Sequence, residues 1–499
     1  MLNTTYTPKR ALLKLLNPLK RLMDREASIK YIHYLMFFKY LSDQLEEHFT
    51  KIIENKNIML FEAYEDEVYY DLFKKEAINN FGYFLDYDNL FNNILYENKD
   101  KRINIDNLSE AFNQISNTAN SNIFKDVFDE IDLISPKLVK VNDEKEELLY
   151  YLMEIISKFG YNQEKSIKTL FDTSIDYYLN HIKKTWILAA DRDVNKLLAN
   201  IATLNNEEIE SIYDPFLGTG VLLENVFQLT NNPSIYGQDI NLTAYNMTIM
   251  NLIIHGVDYK KLNLYFGDTI SNPGHVGKLF DIIVSVPPFG SAYKVPYEGI
   301  KNKERFGNLK IGKSISKLEF YIIMHMIYHL KEDGIIATIV NQSALTRNVD
   351  RNIKQFIIDE KNYLDAVINL PPQLFTDSPV PTSILIFKKN RSPDDKVLFI
   401  NAEGECESQR KKNILKDENI DKIVNTYKTR LEIDKFSKLI DVKSIKENEF
   451  NLTISRYIDN YKGEYIELNE AIMKKEKLNQ KLEEITEKIQ DLELELNLK

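Results

Sequence analysis

The sequence predicts an α/β protein: a doubly wound sheet with a helical N-terminal domain before it and a C-terminal helix after it. Three observations carry that expectation. Between residues 161 and 400, short apolar runs rich in β-branched residues alternate with helical patterns, the texture of strands joined by helical crossovers. Within that region Ile212-Tyr213-Asp214-Pro215-Phe216-Leu217-Gly218-Thr219-Gly220 reads as a strand end, a glycine turn and a helix start, with Val221, Leu222, Leu223, Val226 and Phe227 following at helical spacing. Before residue 160, apolar residues recur at helical spacing with little glycine or proline between them. The predicted divisions are a helical domain over 1–160, an α/β domain over 161–400, a charged connector over 401–463 and a helix over 464–499.

In chain order, Leu12, Leu15, Leu16, Leu19 and Leu22 form a first helical stripe. Tyr34, Phe37, Phe38 and Leu41 form a second, which ends in the polar Ser42-Asp43-Gln44-Leu45-Glu46-Glu47. The pattern alone suggests a bundle without chemistry of its own, with Lys30 and Lys39 on solvated faces. The α/β region offers strands at Ser211–Tyr213, Ser234–Gln238, Leu262–Phe266, Asp281–Val284, Gly334–Val340, Tyr363–Asn369 and Ser383–Phe387. Helices such as Leu318–Leu330 and Val349–Glu360 intervene. Such alternation predicts a parallel sheet, in which ligands bind outside the carboxyl ends of the strands. Residues 401–463 are rich in Lys and Glu. In the last segment Leu478, Leu482, Ile485, Ile489, Leu492 and Leu496 alternate steps of four and three, a short heptad seam that needs a partner.

Composition narrows the class. With 499 residues, 43% hydrophobic and 28% charged, the chain is globular and long enough for several domains. A single cysteine, Cys406, excludes an internal disulfide and a Cys-based zinc site, and suits a reducing compartment. Ala11–Leu16 is apolar, but Lys14 and Pro18 interrupt it too early for a signal peptide. Tyr31–Tyr40 is too short to span a bilayer. The expectation is a cytoplasmic protein with no membrane segment. A net charge of −11 argues against blanket affinity for nucleic acid and leaves room for a local basic groove. No His/Asp/Glu group has metal-ligand spacing, so no metal is expected. No serine nucleophile elbow is present. His255 and His325 sit in apolar patterns and read as packing residues.

The chemistry gathers at the predicted strand ends. Gly218 and Gly220 let the backbone turn tightly and let a ligand approach the N–H groups that open the next helix. Alone, this is also an ordinary strand-to-helix turn. Asp214 ends the first strand, Asp239 the second and Asp268 the third. A carboxylate at the second position accepts hydrogen bonds from ribose hydroxyls, and one at the third suits an adenine amino group. Each is a common turn residue by itself; the ordered set points to an adenosyl ligand. The lead-in lacks the Gly-x-Gly-x-x-Gly of dinucleotide enzymes and the Gly-Lys-Ser/Thr of a P-loop.

The fourth strand runs Asp281-Ile282-Ile283-Val284-Ser285-Val286-Pro287-Pro288-Phe289-Gly290, and here the sequence resembles a known family. It looks like the modification (M) subunit of type I restriction–modification systems, a DNA adenine-N6 methyltransferase family. Phe38-Lys39-Tyr40-Leu41-Ser42-Asp43 is similar to its N-terminal signature, and Asp214–Gly220 to its cofactor loop. Asn251-Leu252-Ile253-Ile254-His255-Gly256, Gly267-Asp268-Thr269, and Leu370-Pro371-Pro372-Gln373-Leu374-Phe375 followed by Pro381-Thr382 also fit. The resemblance spans almost the whole chain. It implies a class I, Rossmann-like methyltransferase fold and S-adenosylmethionine as cofactor, held by Asp214, Phe216, Gly218, Thr219, Gly220, Asp239 and Asp268. The implied partners are double-stranded DNA, a specificity subunit packed on the C-terminal helix and a restriction subunit, in a hetero-oligomer with two M-type subunits.

In that family the fourth motif is Asn/Asp/Ser-Pro-Pro-aromatic. The polar side chain and the first proline carbonyl accept the two hydrogens of adenine N6. That frees its lone pair for attack on the sulfonium methyl. The aromatic ring stacks on the flipped-out base. Here Val286 stands at the Asn position, ahead of Pro287, Pro288 and Phe289. Ser285 lies one residue early, on the opposite face of an extended segment. The family's Phe/Tyr-Thr-Pro is also replaced, by Ala189-Ala190-Asp191-Arg192-Asp193 before Val194 and Leu197, with Trp186 nearby but out of register. Two readings follow: an active adenine-N6 methyltransferase subunit, or an impaired relative serving as scaffold or as partner of an active paralogue. Residue chemistry at Val286 favours the second for turnover. Methylation of a protein glutamine, which uses a similar Pro-Pro-aromatic motif, is a third. Beyond the motif, Lys301, Lys303, Arg305, Lys310, Lys313 and Lys317 are expected either to contact DNA phosphates or to form a solvated loop.

Overall fold

Nine strands, in chain order, build the central sheet among the described residues of the computed structural model. They are β1 (Ser211–Asp214), β2 (Ser234–Asp239), β3 (Leu262–Phe266), β4 (Phe280–Ser285), β5 (Leu330–Asn341), β6 (Leu364–Asn369), β7 (Thr382–Lys388), β8 (Val397–Asn401) and β9 (Ser437–Ile440). The structure describes residues 7–497 other than 98, 134–141, 162–165, 182–189, 205–207, 290–294, 297–299, 308–313, 316, 376–379, 410–411 and 460–467. The spatial order is β9-β8-β6-β7-β5-β4-β1-β2-β3. All seven anticipated strands are present. The inner strands β1, β4, β6 and β7 form near-continuous apolar runs because both faces of the sheet are covered there, whereas the edge strand β3 is largely exposed. Ile212, Ile282, Val284 and Ala337 face one core, while Tyr213, Ile283 and Ile336 face the other.

The sheet is mixed, which corrects the expectation of a parallel one. β1 pairs in parallel with β2 and β4, β2 with β3, β4 with β5, and β6 with β8. β7 runs antiparallel to both β5 and β6. The connection between β6 and β7, residues 370–381, carries no helix among its described residues. Without a helical crossover, a strand returns beside its predecessor in the opposite direction. The segment read as a charged connector also joins the sheet. β9 pairs antiparallel with β8 from Val397↔Ile440 to Ile400↔Ser437. It is an edge strand with Lys438 turned outward, a charge that blunts the open edge.

The N-terminal region is helical, as expected. Pro8–Leu19 is capped by Thr7, whose hydroxyl accepts from Arg10 N, and Arg25–Ile53 by Asp24, which accepts from Ala27 N at 2.8 Å. The second helix is buried on most sides. Lys39, expected in solvent, is buried and paired with Asp43. Lys30 pairs with Glu130 at 2.9 Å. The apolar residues of these helices share one continuous core with a face of the sheet.

Glu130 joins the helical region to Leu242–Ile254, the helix after β2. Its carboxylate accepts from Lys30 Nζ and Tyr34 Oη on one side, both at 2.9 Å, and from Thr243 Oγ1 at 2.7 Å and Asn246 Nδ2 at 3.0 Å on the other. Burial alone would raise this carboxyl. The Lys30, Thr243 and Tyr34 hydrogen bonds outweigh it and hold the group below its ordinary range.

Two compact units divide the chain, Met1–Ile458 and Asp459–Lys499. The second contains the helix Leu468–Asn497. Along it Leu478, Leu482, Ile485, Ile489 and Leu492 are each more than half exposed. No helix among the described residues is long and apolar enough to cross a membrane.

Candidate cofactor and base site

The sheet order reverses beside β1, with β2 and β3 on one side and β4 on the other. Strand ends at such a switch point open a crevice. The loop after β1 and the Pro-Pro-Phe after β4 therefore emerge side by side.

The β1 loop is held from every direction. Gly218 and Gly220 take φ of 58° and 76°, the left-handed region that side chains disfavour. Gly220 also lies against the helix Leu242–Ile254, where a Cβ would meet Thr248 Cα at 3.0 Å. Thr248 Oγ1 donates to Gly218 O at 3.3 Å and Asn251 Nδ2 to Thr219 O at 3.4 Å. Leu217 N donates to Gln238 O at 3.2 Å. Leu217 also packs so closely on β2 that a Cβ at Gly237 would fall 2.1 Å from Leu217 Cδ2. Neither the role of Gly237 nor that of Thr248 is visible in the sequence, since both depend on how the loop lies on its neighbours.

The acidic residues sit at the predicted strand ends. Asp214 is buried, and one of its oxygens accepts from Phe216 N and from Ser285 Oγ, both at 2.9 Å. Burial pushes its carboxyl well above the ordinary range, against the pull of those two donors. Asp239 accepts from Gly218 N at 3.0 Å and from Asn241 N at 2.8 Å. Burial raises it too, opposed by backbone N–H groups. It thus clamps the β1 loop to the start of the next helix, with the Ile240 N–H also acting on it, and lone-pair capacity remains for a further donor. Asp268 accepts from Ile270 N at 3.0 Å and from the Ser271 hydroxyl. Ile240 and Phe266, which flank Asp239 and precede Asp268, are 56% and 50% exposed. An apolar residue beside each of two strand-end acids is visible in the sequence, but its exposure is not.

A small open cleft brings Asp214, Phe216, Leu217, Gly218 and Thr219 together with Ala190, Asn195 and Val286. Gly220, Asp239, Asp268 and the residues Pro287–Phe289 lie outside its lining. Val286 is 6% exposed. Ser285 is fully buried: its hydroxyl is committed to Asp214, and its carbonyl accepts from Thr338 Oγ1 at 3.1 Å. Phe289 meets Phe375 edge-to-face at 5.6 Å, so the Pro-Pro-Phe and the Leu-Pro-Pro-Gln-Leu-Phe stretches converge. Asn195, which the sequence reading missed, is buried and donates to Ala190 O at 2.9 Å. Its signal was a polar residue on the apolar face of Arg192–Ala202. Ala189 and Trp186 lie outside the described residues. Asp191 pairs with Lys412 at 3.0 Å.

The basic stretch divides. Lys301 is exposed and donates to Asn272 Oδ1 at 3.0 Å, and Lys303 is half-buried. Lys310 and Lys313 lie outside the described residues. Arg305 corrects the expectation of a phosphate contact: it is 2% exposed, its guanidinium is turned into the fold, and burial lowers it to about 10. His255 and His325 are buried, as expected. Among the described residues no His/Cys/Asp/Glu group could hold a metal ion.

A family model described as N-6 DNA Methylase matches residues 190–465, and one described as the HsdM N-terminal domain matches residues 9–156. The type I restriction enzyme MpnII methylase subunit of Mycoplasma pneumoniae is 28% identical over 498 residues, covering 93% of this chain and 90% of its own. The MjaVIII methylase subunit of Methanocaldococcus jannaschii is 26% identical, covering 96% and 83%. The crystal structure of the type I restriction–modification system methyltransferase subunit from Streptococcus thermophilus matches with a TM-score of 0.82 and 29% identity, over 91% of this chain and 99% of that one. The chain belongs to the N-6 DNA methylase family, among the methylase subunits of type I restriction–modification systems.

Proposed function

We propose that this chain binds S-adenosylmethionine at the β1–β2 strand ends and acts as the DNA-engaging modification subunit of a type I assembly, with its own methyl transfer slowed by Val286. The chemistry of the donor set supports the cofactor. Two left-handed glycines open a helix N-terminus, Asp239 keeps lone-pair capacity for a ribose hydroxyl, and Ile240 and Phe266 leave apolar surface for an adenine ring. Bound there, S-adenosylmethionine would supply an electrophilic methyl group. Pro287 and Phe289 would hold the base, and Lys301 and Lys303 would contact the DNA backbone. The resembling family assigns sequence choice to a specificity subunit, and we place that partner on the C-terminal helix, with a restriction subunit and a second M-type subunit in the assembly.

One observation carries the slowed turnover: Val286 lines the same cleft as Asp214. A valine accepts no hydrogen bond. The Pro287 carbonyl could take one N6 hydrogen, and the other would go unpaired. Losing one transition-state hydrogen bond slows such a step by about 10²–10³. Ser285 supplies no rescue, since its hydroxyl is buried on Asp214. That commitment favours the second reading, a scaffold or partner of an active paralogue. The test is S-adenosylmethionine binding by the purified chain beside Asp239→Ala. Binding that the substitution abolishes supports the cofactor site. No binding by folded protein removes the methyltransferase reading and leaves the scaffold.

A further inference from the structure

Arg305 has an environment that a phosphate ligand would not have. Its five N–H donors are all used. Nε donates to Asn302 O at 3.0 Å. Nη1 donates to Thr269 O at 3.2 Å and to His325 Nδ1 at 2.6 Å. Nη2 donates to Ile270 O at 2.8 Å and to Lys301 O at 3.0 Å. Every one of these acceptors is a carbonyl or an imidazole nitrogen. A buried guanidinium is tolerated only when its fork is satisfied in this way, and the fork is planar and rigid, so its acceptors are fixed relative to one another.

Those acceptors come from two loops with different tasks. Thr269 and Ile270 directly follow Asp268 at the end of β3. Lys301 and Asn302 belong to the segment after Pro287-Pro288-Phe289. Lys301 N donates to Ser271 O at 3.0 Å and Thr269 Oγ1 to Pro215 O at 2.6 Å, which extends the connection to the β1 loop. The third anchor is His325. Arginine can only donate, so His325 Nδ1 accepts and its proton sits on Nε2. Nε2 lies 2.9 Å from the hydroxyl of Tyr213, the neighbour of Asp214 in β1.

We propose that Arg305 is a positioning residue, which fixes the Asp268 loop against the segment that follows Pro-Pro-Phe and so holds the cofactor side and the base side in one register. This rests on the cofactor reading above. It predicts that the arginine acts on the cofactor through Asp268 and makes no phosphate contact.

The test compares the full chain with Arg305→Met and Arg305→Lys. Three quantities are read: amide hydrogen exchange over residues 267–272, S-adenosylmethionine affinity and, with the specificity subunit present, the salt dependence of DNA binding. Exchange over 267–272 should rise about tenfold or more while β5 is unchanged. S-adenosylmethionine affinity should fall about tenfold, as expected for lost charge-assisted hydrogen bonds. The salt slope should stay the same. Should the methionine variant fail to fold, the lysine variant carries the test, since it keeps the cation and cannot span all five acceptors. Unchanged exchange in a folded variant overturns the proposal. So does a salt slope that falls by about one with cofactor affinity intact, the mark of a phosphate ligand. If the native chain binds no S-adenosylmethionine, the cofactor reading falls, and the exchange result alone still decides whether Arg305 ties the loops.

Discussion

Valine and asparagine differ little in volume, and Val286 already fits its site with 6% exposure. Val286→Asn should therefore fold normally, leave S-adenosylmethionine affinity unchanged and raise methyl transfer to adenine by about 10²–10³. Single-turnover methylation with the specificity subunit and DNA measures it; an unchanged rate places the block elsewhere. Gly220→Ala is the opposite case. At a φ of 76°, with Thr248 Cα at 3.0 Å from the new Cβ, it should destabilise the fold by about 1–3 kcal/mol in urea unfolding and weaken cofactor binding. Gly218, Gly220, Asp214, Asp239 and Asp268 could be located from sequence because residue type and strand-end position coincide. Gly237 could not, because its reason is a contact with Leu217 across the loop. Arg305 was misread because local composition shows charge and not burial.

The helix Leu242–Ile254 is the element on which the site leans. Glu130 grips its first turns, and Thr248 and Asn251 hold the glycine loop further along. Glu130→Ala would leave two donors on each side without their acceptor and should destabilise the chain by about 2–3 kcal/mol in thermal or urea unfolding. The carboxyl lies below its ordinary value in the folded state. Its stabilisation is therefore complete above the unfolded value of about 4.3, and is lost as pH falls through the lower folded value. Glu130→Gln should remove that part of the acid sensitivity, read from unfolding midpoints between pH 3 and pH 6. Strands were legible as apolar β-branched runs. Their directions were not, because β7 turns back for want of a helix after β6. β9 was hidden by the charges that an edge strand carries.

At the scale of the whole molecule, the helical region and the sheet share one core, so the sequence change near residue 160 marks a change of texture rather than a gap in packing. The final unit, Asp459–Lys499, is a separate body. Ending the chain at Ile458 should leave the thermal midpoint of the remainder within about 1–2 °C of the full chain, because Met1–Ile458 is a compact unit by itself. The same truncation should abolish co-purification with the specificity subunit. Retained association would locate the assembly surface elsewhere.

The exposed seam of that helix also bears on supply. Along that seam Leu478, Leu482, Ile485, Ile489 and Leu492 lie in water, each more than half exposed. A chain made in excess of whatever covers them carries a sticky, easily unwound handle, the kind of segment that chaperones and proteases engage first. The pool of unassembled chain would then be self-limiting, its lifetime set by how fast a cover arrives. Pulse–chase labelling with and without the specificity subunit would read this as a difference in half-life, with the surplus degraded rather than stored.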